Sequence, residues 1–171
     1  MILGLDPGRD KTGWALVEKQ GDLIWSGIVP TEELSVFFQV LDCRSSEWEK
    51  GFSRWRYERV RDLLPEGEET GQMCVMLGNG TGSRDILEKI APFDVRVFEV
   101  DEKGTTLAAR DLYWHLHGVV GWRKFLPRRL RVPPRILDDM AAWAIALRGL
   151  EKWSGEKIFI LEDKNFNGEN I

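Results

Sequence analysis

Cysteine is scarce in this chain: Cys43 and Cys74 are its only two, too few for a disulfide framework and without metal-ligand spacing. Both are expected to be reduced, with Cys74 in a core strand, and zinc is not expected. Histidine is as sparse, and His115 and His117 have no partner at metal-ligand spacing. Long apolar runs are missing too. No segment approaches the roughly 20 apolar residues that cross a bilayer, and Met1 leads into Asp6 without a signal-like leader. The expectation is no membrane partner and a cytoplasmic location. Internal repeats and low-complexity segments are also lacking. What the 171 residues do carry is 43% hydrophobic content and eight tryptophans, enough for one substantial core. A single domain over residues 1–162 is expected, with a flexible tail over 163–171.

The net charge of -4 argues weakly against a general nucleic-acid binder, but the charge is unevenly placed. Arg123, Lys124, Arg128, Arg129, Arg131 and Arg135 follow one another with no acid between them. One positive surface on an otherwise acidic body is the footprint of a protein that grips a phosphate backbone at one place. The same arginines in a solvated loop would instead pair with acids of neighbouring elements. Trp114 and Trp122 are interleaved with these cations, as on a surface that stacks unpaired bases while holding phosphates. Trp14, Trp25 and Trp143 read as core, which leaves Trp122 as the base-stacking candidate.

Patterning predicts an α/β fold. Ile2 to Asp6, Thr12 to Val17 and Asp22 to Val29 read as an antiparallel meander, with Gly21-Asp22 as a hairpin turn. A periodic segment over 31–41, opened by Thr31 as a cap, and a charged helix over 46–64 follow, the latter ended by Pro65-Glu66-Gly67. Met73 to Leu77 suits a buried parallel strand, Ser83 to Ile90 a helix, Asp94 to Val100 a fifth strand and Thr105 to His117 a helix. Residues 127–134 are irregular, a helix spans about 135–152, and 157–161 suits a final short strand. The order predicts a mixed five-stranded sheet with helices on both faces.

Three groups of acids stand at element ends. Asp6 closes an apolar strand where a purely structural strand would continue with an apolar residue. At that point a carboxylate serves either a divalent metal beside a nucleic-acid phosphate or Mg-nucleotide whose phosphate lies on the hairpin glycines. Glu99, Asp101 and Glu102 end the fifth strand. Asp138 and Asp139 open the last helix, where they also complement the helix dipole, and Asp139 leans toward the packed stripe of Ala142, Trp143, Ala146, Leu147 and Leu150. One carboxylate source per element is what two-metal phosphodiester hydrolysis needs: Mg²⁺ or Mn²⁺ takes hard oxygen ligands, and two ions about 3.5 to 4 Å apart clamp the attacking and leaving oxygens. Gly78 to Ser83 leaves a strand and opens a helix. Its backbone N–H groups, with Thr81 and Ser83, suit a passing phosphate, although a tight turn capped by Ser83 serves equally. Arg84 and Arg110 reach either phosphates or surface partners.

Ile2-Leu-Gly-Leu-Asp-Pro-Gly-Arg-Asp-Lys-Thr-Gly13, Val100-Asp-Glu-Lys-Gly-Thr-Thr-Leu-Ala-Ala-Arg110 and Leu137-Asp-Asp-Met-Ala-Ala142 resemble, in order, the three motifs of the YqgF family, relatives of the RuvC Holliday junction resolvase. The resemblance spans nearly the whole chain. It implies an RNase H-like fold and catalytic residues at Asp6, at Asp101 or Glu102, and at Asp138 or Asp139, with Asp6, Glu102 and Asp139 as the favoured ligands of Mg²⁺ or Mn²⁺. Lys103 stands where the family's middle motif usually has arginine, which keeps the charge and loses the bidentate fork. Gly78-Asn79-Gly80-Thr81 is similar to a segment of the YqgF-like domain of the transcription accessory protein Tex, and Asn79 stands where RuvC has a glutamate. The implied function is a metal-dependent nuclease acting on structured RNA or branched DNA, in ribosomal RNA precursor processing or Holliday junction resolution, with a homodimer possible. A catalytically weak, Tex-like binding module and an ATPase of the sugar kinase and actin type are the alternatives. Gly8, Asn79, Thr81, Ser83, Arg123, Lys124, Arg128, Arg129 and Arg131 are the expected nucleic-acid contacts.

Overall fold

The computed structural model describes residues 1–42, 45–62, 72–119, 121–127 and 130–155. Apolar runs rich in leucine and β-branched residues form β1 (Ile2–Asp6), β2 (Lys11–Val17) and β3 (Leu23–Pro30), an antiparallel meander. Gly21, at φ 96°, closes the turn between β2 and β3 in the left-handed region that glycine enters freely. A 3-10 turn at Thr31–Glu33 leads into α1 (Leu34–Asp42). Thr31 does not cap this helix: its hydroxyl donates to the Gly8 carbonyl at 2.9 Å.

The next segment departs from expectation. α2 (Ser45–Phe52) stops well short of residue 64, and β4 (Arg56–Arg59) pairs antiparallel with β3. Among the described residues the sheet therefore has six strands, not five, in the order β4-β3-β2-β1-β5-β6. Trp55, Tyr57 and Val60 are the aromatic and β-branched residues that favour extended backbone. The charges between them suit an edge strand, which they protect from pairing with other chains. Arg59 pairs with Glu49 and Asp62, and Arg61 with Glu18 and Asp22.

β5 (Met73–Gly78) runs parallel to β1, and after α3 (Ser83–Ile90), β6 (Val95–Val100) runs parallel to β5. Gly82, at φ 103°, precedes α3, so Ser83 is its first residue and not its cap. α4 (Thr105–His117) and a second 3-10 turn at Gly121–Phe125 lead to α5 (Asp138–Gly155). α5 begins three residues later than the sequence pattern predicts. Arg135 folds its guanidinium onto the Ile136 carbonyl at 2.7 Å, and the Leu137 carbonyl accepts the first helical bond, from Ala141 N–H at 2.8 Å.

Alternation along the strands builds two cores. Leu3, Leu5, Trp14 and Leu16 face α1, α2 and α3; Ile2, Ala15, Val17 and Met76 face α4 and α5. Trp14, Phe37 and Phe52 anchor the first core with ring centroids 4.8 to 5.4 Å apart in tilted arrangements. Such pairs contribute about 0.5 to 1.5 kcal/mol each beyond their buried area. On the second face α5 lies directly on β1 and β2. A Cβ on Gly4 would strike the Ala142 carbonyl and one on Gly13 the Asp138 carbonyl, so these glycines are what let the helix backbone descend onto the sheet.

Cys74 is a free thiol on β5, an inner strand of the sheet as expected, and is itself half-buried. Cys43, the expected strand at 157–161 and the tail at 163–171 lie outside the described residues. Among the described residues no helix is long and apolar enough to cross a membrane.

Candidate functional site

The parallel strands β1, β5 and β6 end on one edge of the sheet, and the carboxyl ends of such strands are where open α/β sheets place ligands. Asp6 is the last residue of β1 and pairs with Gly13 across the hairpin. Because Gly13 has no Cβ, the first turn of α5 comes down beside it and sets Asp138 near Asp6. Asp6 and Asp138 line a cleft of about 260 Å³ with Thr106, Arg110, Val132 and Pro133, and an adjoining hollow of about 230 Å³ with Gly8, Asp10 and Lys11. Lys11 Nζ lies 2.7 Å from an Asp138 carboxylate oxygen.

The Asp6 carboxyl is raised from 3.8 to about 7. Burial is the largest cause, the Glu102 and Asp138 carboxylates add to it, and Lys11 opposes it. Near neutral pH, Asp6 is thus divided between its two protonation states, as expected where negative charge is crowded with little compensation.

Glu102 occupies a cradle made by the β5–α3 loop. A Cβ on Gly78 or Gly80 would run into its carboxylate, so both positions need glycine for the side chain to lie there. Asn79 holds the turn from both directions: its N–H donates to the Val100 carbonyl at 3.0 Å and its side-chain oxygen accepts from Glu102 N–H at 3.2 Å. Burial raises the Glu102 carboxyl above its ordinary value; a hydrogen bond from the Gly80 backbone lowers it and Asp101 raises it further. Its Oε1 is buried without a hydrogen-bond partner. Asp101 is exposed and takes Lys103 N–H on its side chain at 3.0 Å. Glu99 is exposed on β6. Arg148 of α5 donates to the Asp101 carbonyl at 2.5 Å and to the Lys103 carbonyl at 2.7 Å, fastening the turn that carries Glu102 to the helix that carries Asp138.

Asp139 has a different place. It is fully buried, and its oxygens accept from Ser26 Oγ at 2.8 Å and from two nitrogens of Arg135 at 2.7 and 2.9 Å. Arg135 also bonds Glu58 of β4 at 2.7 Å and lies over the rings of Tyr57 and Tyr113, and Glu58 meets His117 at 3.1 Å. This network ties the edge strand to the start of α5. Buried in this network, Asp139 is not among the residues lining the cleft, and Asp138 is the acid of this pair that lines it. Arg135 is likewise a partner of buried Asp139 and half-buried Glu58, not a free surface cation.

Of the expected nucleic-acid contacts, Gly8 shapes the hairpin beside Asp6 and Gly82 approaches it from the β5–α3 loop. Asn79 and Thr81 are exposed on that loop, and Ser83, the first residue of α3, is half-buried. Arg131 uses its guanidinium on the Leu126 and Lys124 carbonyls at 2.9 and 3.2 Å. Lys124 is exposed, the Arg123 side chain is not described, and Arg128 and Arg129 lie outside the described residues. Lys11, Ser26, Glu58 and Arg148 carry no pattern in the sequence that marks them for the site. The spacing of Arg135 and Asp139, one helical turn, was the visible signal for their pairing.

No known family model matches this chain, nor does any curated protein sequence. Among the described residues no group of three or more His, Cys, Asp or Glu is drawn close enough to form a ready metal cage. The donor chemistry nevertheless fits a divalent cation: Asp6, Asp138 and Glu102 are hard oxygen donors from three elements, and one buried oxygen among them lacks a partner.

Proposed function

We infer that this chain is a metal-dependent nuclease of RNase H-like fold, hydrolysing phosphodiester bonds of structured RNA or branched DNA. The observation that carries this reading is the electrostatics of Asp6. Its carboxyl is held near 7 by burial and by two further carboxylates, a local excess of negative charge that a divalent cation would relieve. The antiparallel meander continued by two parallel strands, with helices on both faces, suits the RNase H-like arrangement and the YqgF and RuvC relatives that the motifs resemble.

Asp6, Glu102 and Asp138 would hold Mg²⁺ or Mn²⁺, with Asp138 taking the part that the sequence assigned to Asp139. When bound, the ions supply Lewis-acid polarisation of the phosphoryl oxygen and a more acidic water. The residues themselves do the positioning. Gly78 and Gly80 make room for the Glu102 carboxylate, Asn79 fixes its backbone, and Arg148 fixes that turn relative to α5. Lys11 offsets part of the negative charge. Gly8 and Gly13 are engaged in packing, Gly8 through Thr31 and Gly13 against Asp138, which favours the nuclease over an ATPase whose hairpin clasps phosphate.

The test is incubation of labelled structured RNA and four-way DNA junctions with Mn²⁺, comparing wild type, Asp6→Asn and Glu102→Gln. Cutting by wild type and its loss in both variants is the expected result. Absence of cutting by wild type, or equal cutting by Asp6→Asn, refutes the proposal, and tight binding without cutting would point to a binding module.

A further inference from the structure

The segment joining α4 to α5 combines three properties that seldom occur together. Its sequence from Leu112 to Leu137 contains no acid. Among the described residues it carries five of the ten large hydrophobic side chains exposed to solvent: Trp122, Phe125, Leu130, Val132 and Ile136, with Trp122 at 66% and Phe125 at 89%. It is also pinned by polar bonds instead of burial. Arg131 bridges the Lys124 and Leu126 carbonyls, Trp114 Nε1 donates to the Arg131 carbonyl at 3.0 Å, and Leu130 N–H donates to the Pro127 carbonyl at 2.9 Å.

Exposed apolar groups concentrated on one held segment mark a contact surface. The segment supplies Val132 and Pro133 to the wall of the cleft containing Asp6 and Asp138, and Arg110 enters the same wall from α4. Whatever lies on the segment can therefore continue into the cleft. Flat aromatic groups beside cations, leading to a site that accepts phosphodiesters, match a strand whose bases are unpaired.

We propose that the described residues 121–127 and 130–133 form a landing surface for single-stranded nucleic acid, stacking unpaired bases on Trp122 and Phe125 while Lys124 and Arg110 hold phosphates, so that the strand enters the cleft unpaired. This rests on the reading of the cleft as a phosphodiester site and narrows its substrate to structured nucleic acid with a single-stranded region next to the cut. Inside a duplex each base is already stacked between its neighbours along the helix and offers no free face to the two aromatic side chains.

Binding in EDTA separates this proposal from catalysis. Fluorescence anisotropy with a labelled single-stranded 20-mer and its blunt duplex should show at least tenfold tighter binding of the single strand. Trp122→Ala and Phe125→Ala should each weaken single-strand binding about tenfold and leave the duplex and the melting temperature unchanged. Arg110→Gln should reduce the slope of log affinity against log salt by about 0.7, one phosphate contact on a single strand. Duplex bound as tightly as single strand, or the aromatic variants binding as wild type, overturns the proposal. So does sedimentation showing that the surface buries itself against a second copy of the chain in the presence of the single strand. If these binding results hold but Mn²⁺ gives no cutting, the nuclease reading falls and the landing surface stands. If cutting persists undiminished in the aromatic variants on single-strand-flanked substrates, the landing surface falls alone.

Discussion

Replacing Asp6 by asparagine should stabilise the metal-free protein at alkaline pH, the reverse of what is expected when a well-packed native residue is changed. The unfolded chain leaves Asp6 near 3.8, whereas the folded one raises it to about 7. Between those values the folded state binds more protons than the unfolded state, so stability falls as pH rises through this window and the whole penalty is present above it. The ionised form is disfavoured on folding by about 4 kcal/mol. Asp6→Asn removes the charge and keeps the shape, so most of that penalty should disappear at pH 8 and almost none of the stability should change at pH 4. A chain of this size gains about 2 to 4 °C in melting temperature per kcal/mol. Melting of both proteins in EDTA at pH 4, 6 and 8, followed by circular dichroism, reads the effect directly. The wild type should close the gap at pH 8 when millimolar Mn²⁺ is added, because the cation neutralises the same charge. A difference between the two proteins that is the same at all three pH values, or destabilisation by asparagine at pH 8, would refute the electrostatic account of Asp6.

Three further substitutions probe the packing and the ion pairs around the cleft. Arg135→Ala leaves the buried Asp139 without its cation and half-buried Glu58 without the same partner, and unfolding by denaturant should show a loss of about 3 to 5 kcal/mol. Gly13→Ala places a methyl group on the Asp138 carbonyl, and the same measurement should show a loss of about 1 to 3 kcal/mol as α5 is pushed off the sheet. Gly80→Ala drives a methyl group into the Glu102 carboxylate, so Mn²⁺-dependent cutting should fall at least tenfold while the melting temperature moves by a few degrees at most.

Much of this arrangement is legible in the sequence where one physical cause dominates. The meander from Ile2 to Pro30 follows from apolar runs broken by turn residues, and α3 and α4 begin and end where their patterns do. Legibility fails where two causes compete. Residues 54–61 are as charged as an exposed helix and as aromatic as a strand, and the open edge of β3 settled the matter in favour of β4. Asp138 and Asp139 are adjacent on one helical turn, and only Ser26, distant in sequence, and Arg135, which both bond the buried Asp139 carboxylate, show which acid is turned inward. Asp101 and Glu102 likewise stand just past β6, where strand alternation no longer tells direction; the glycines at 78 and 80 do.

Arg148 gives α5 a second task. The helix carries Asp138 at its first turn and, two to three turns on, grips the carbonyls of Asp101 and Lys103 on either side of Glu102. It also rests backbone to backbone on β1, the strand that ends in Asp6. One stiff rod therefore gauges the distances among all three acids. A shift of α5 along its axis would change those distances together, so the spacing of the acids around the cleft is set by how tightly Gly4, Gly13 and Arg148 hold this rod.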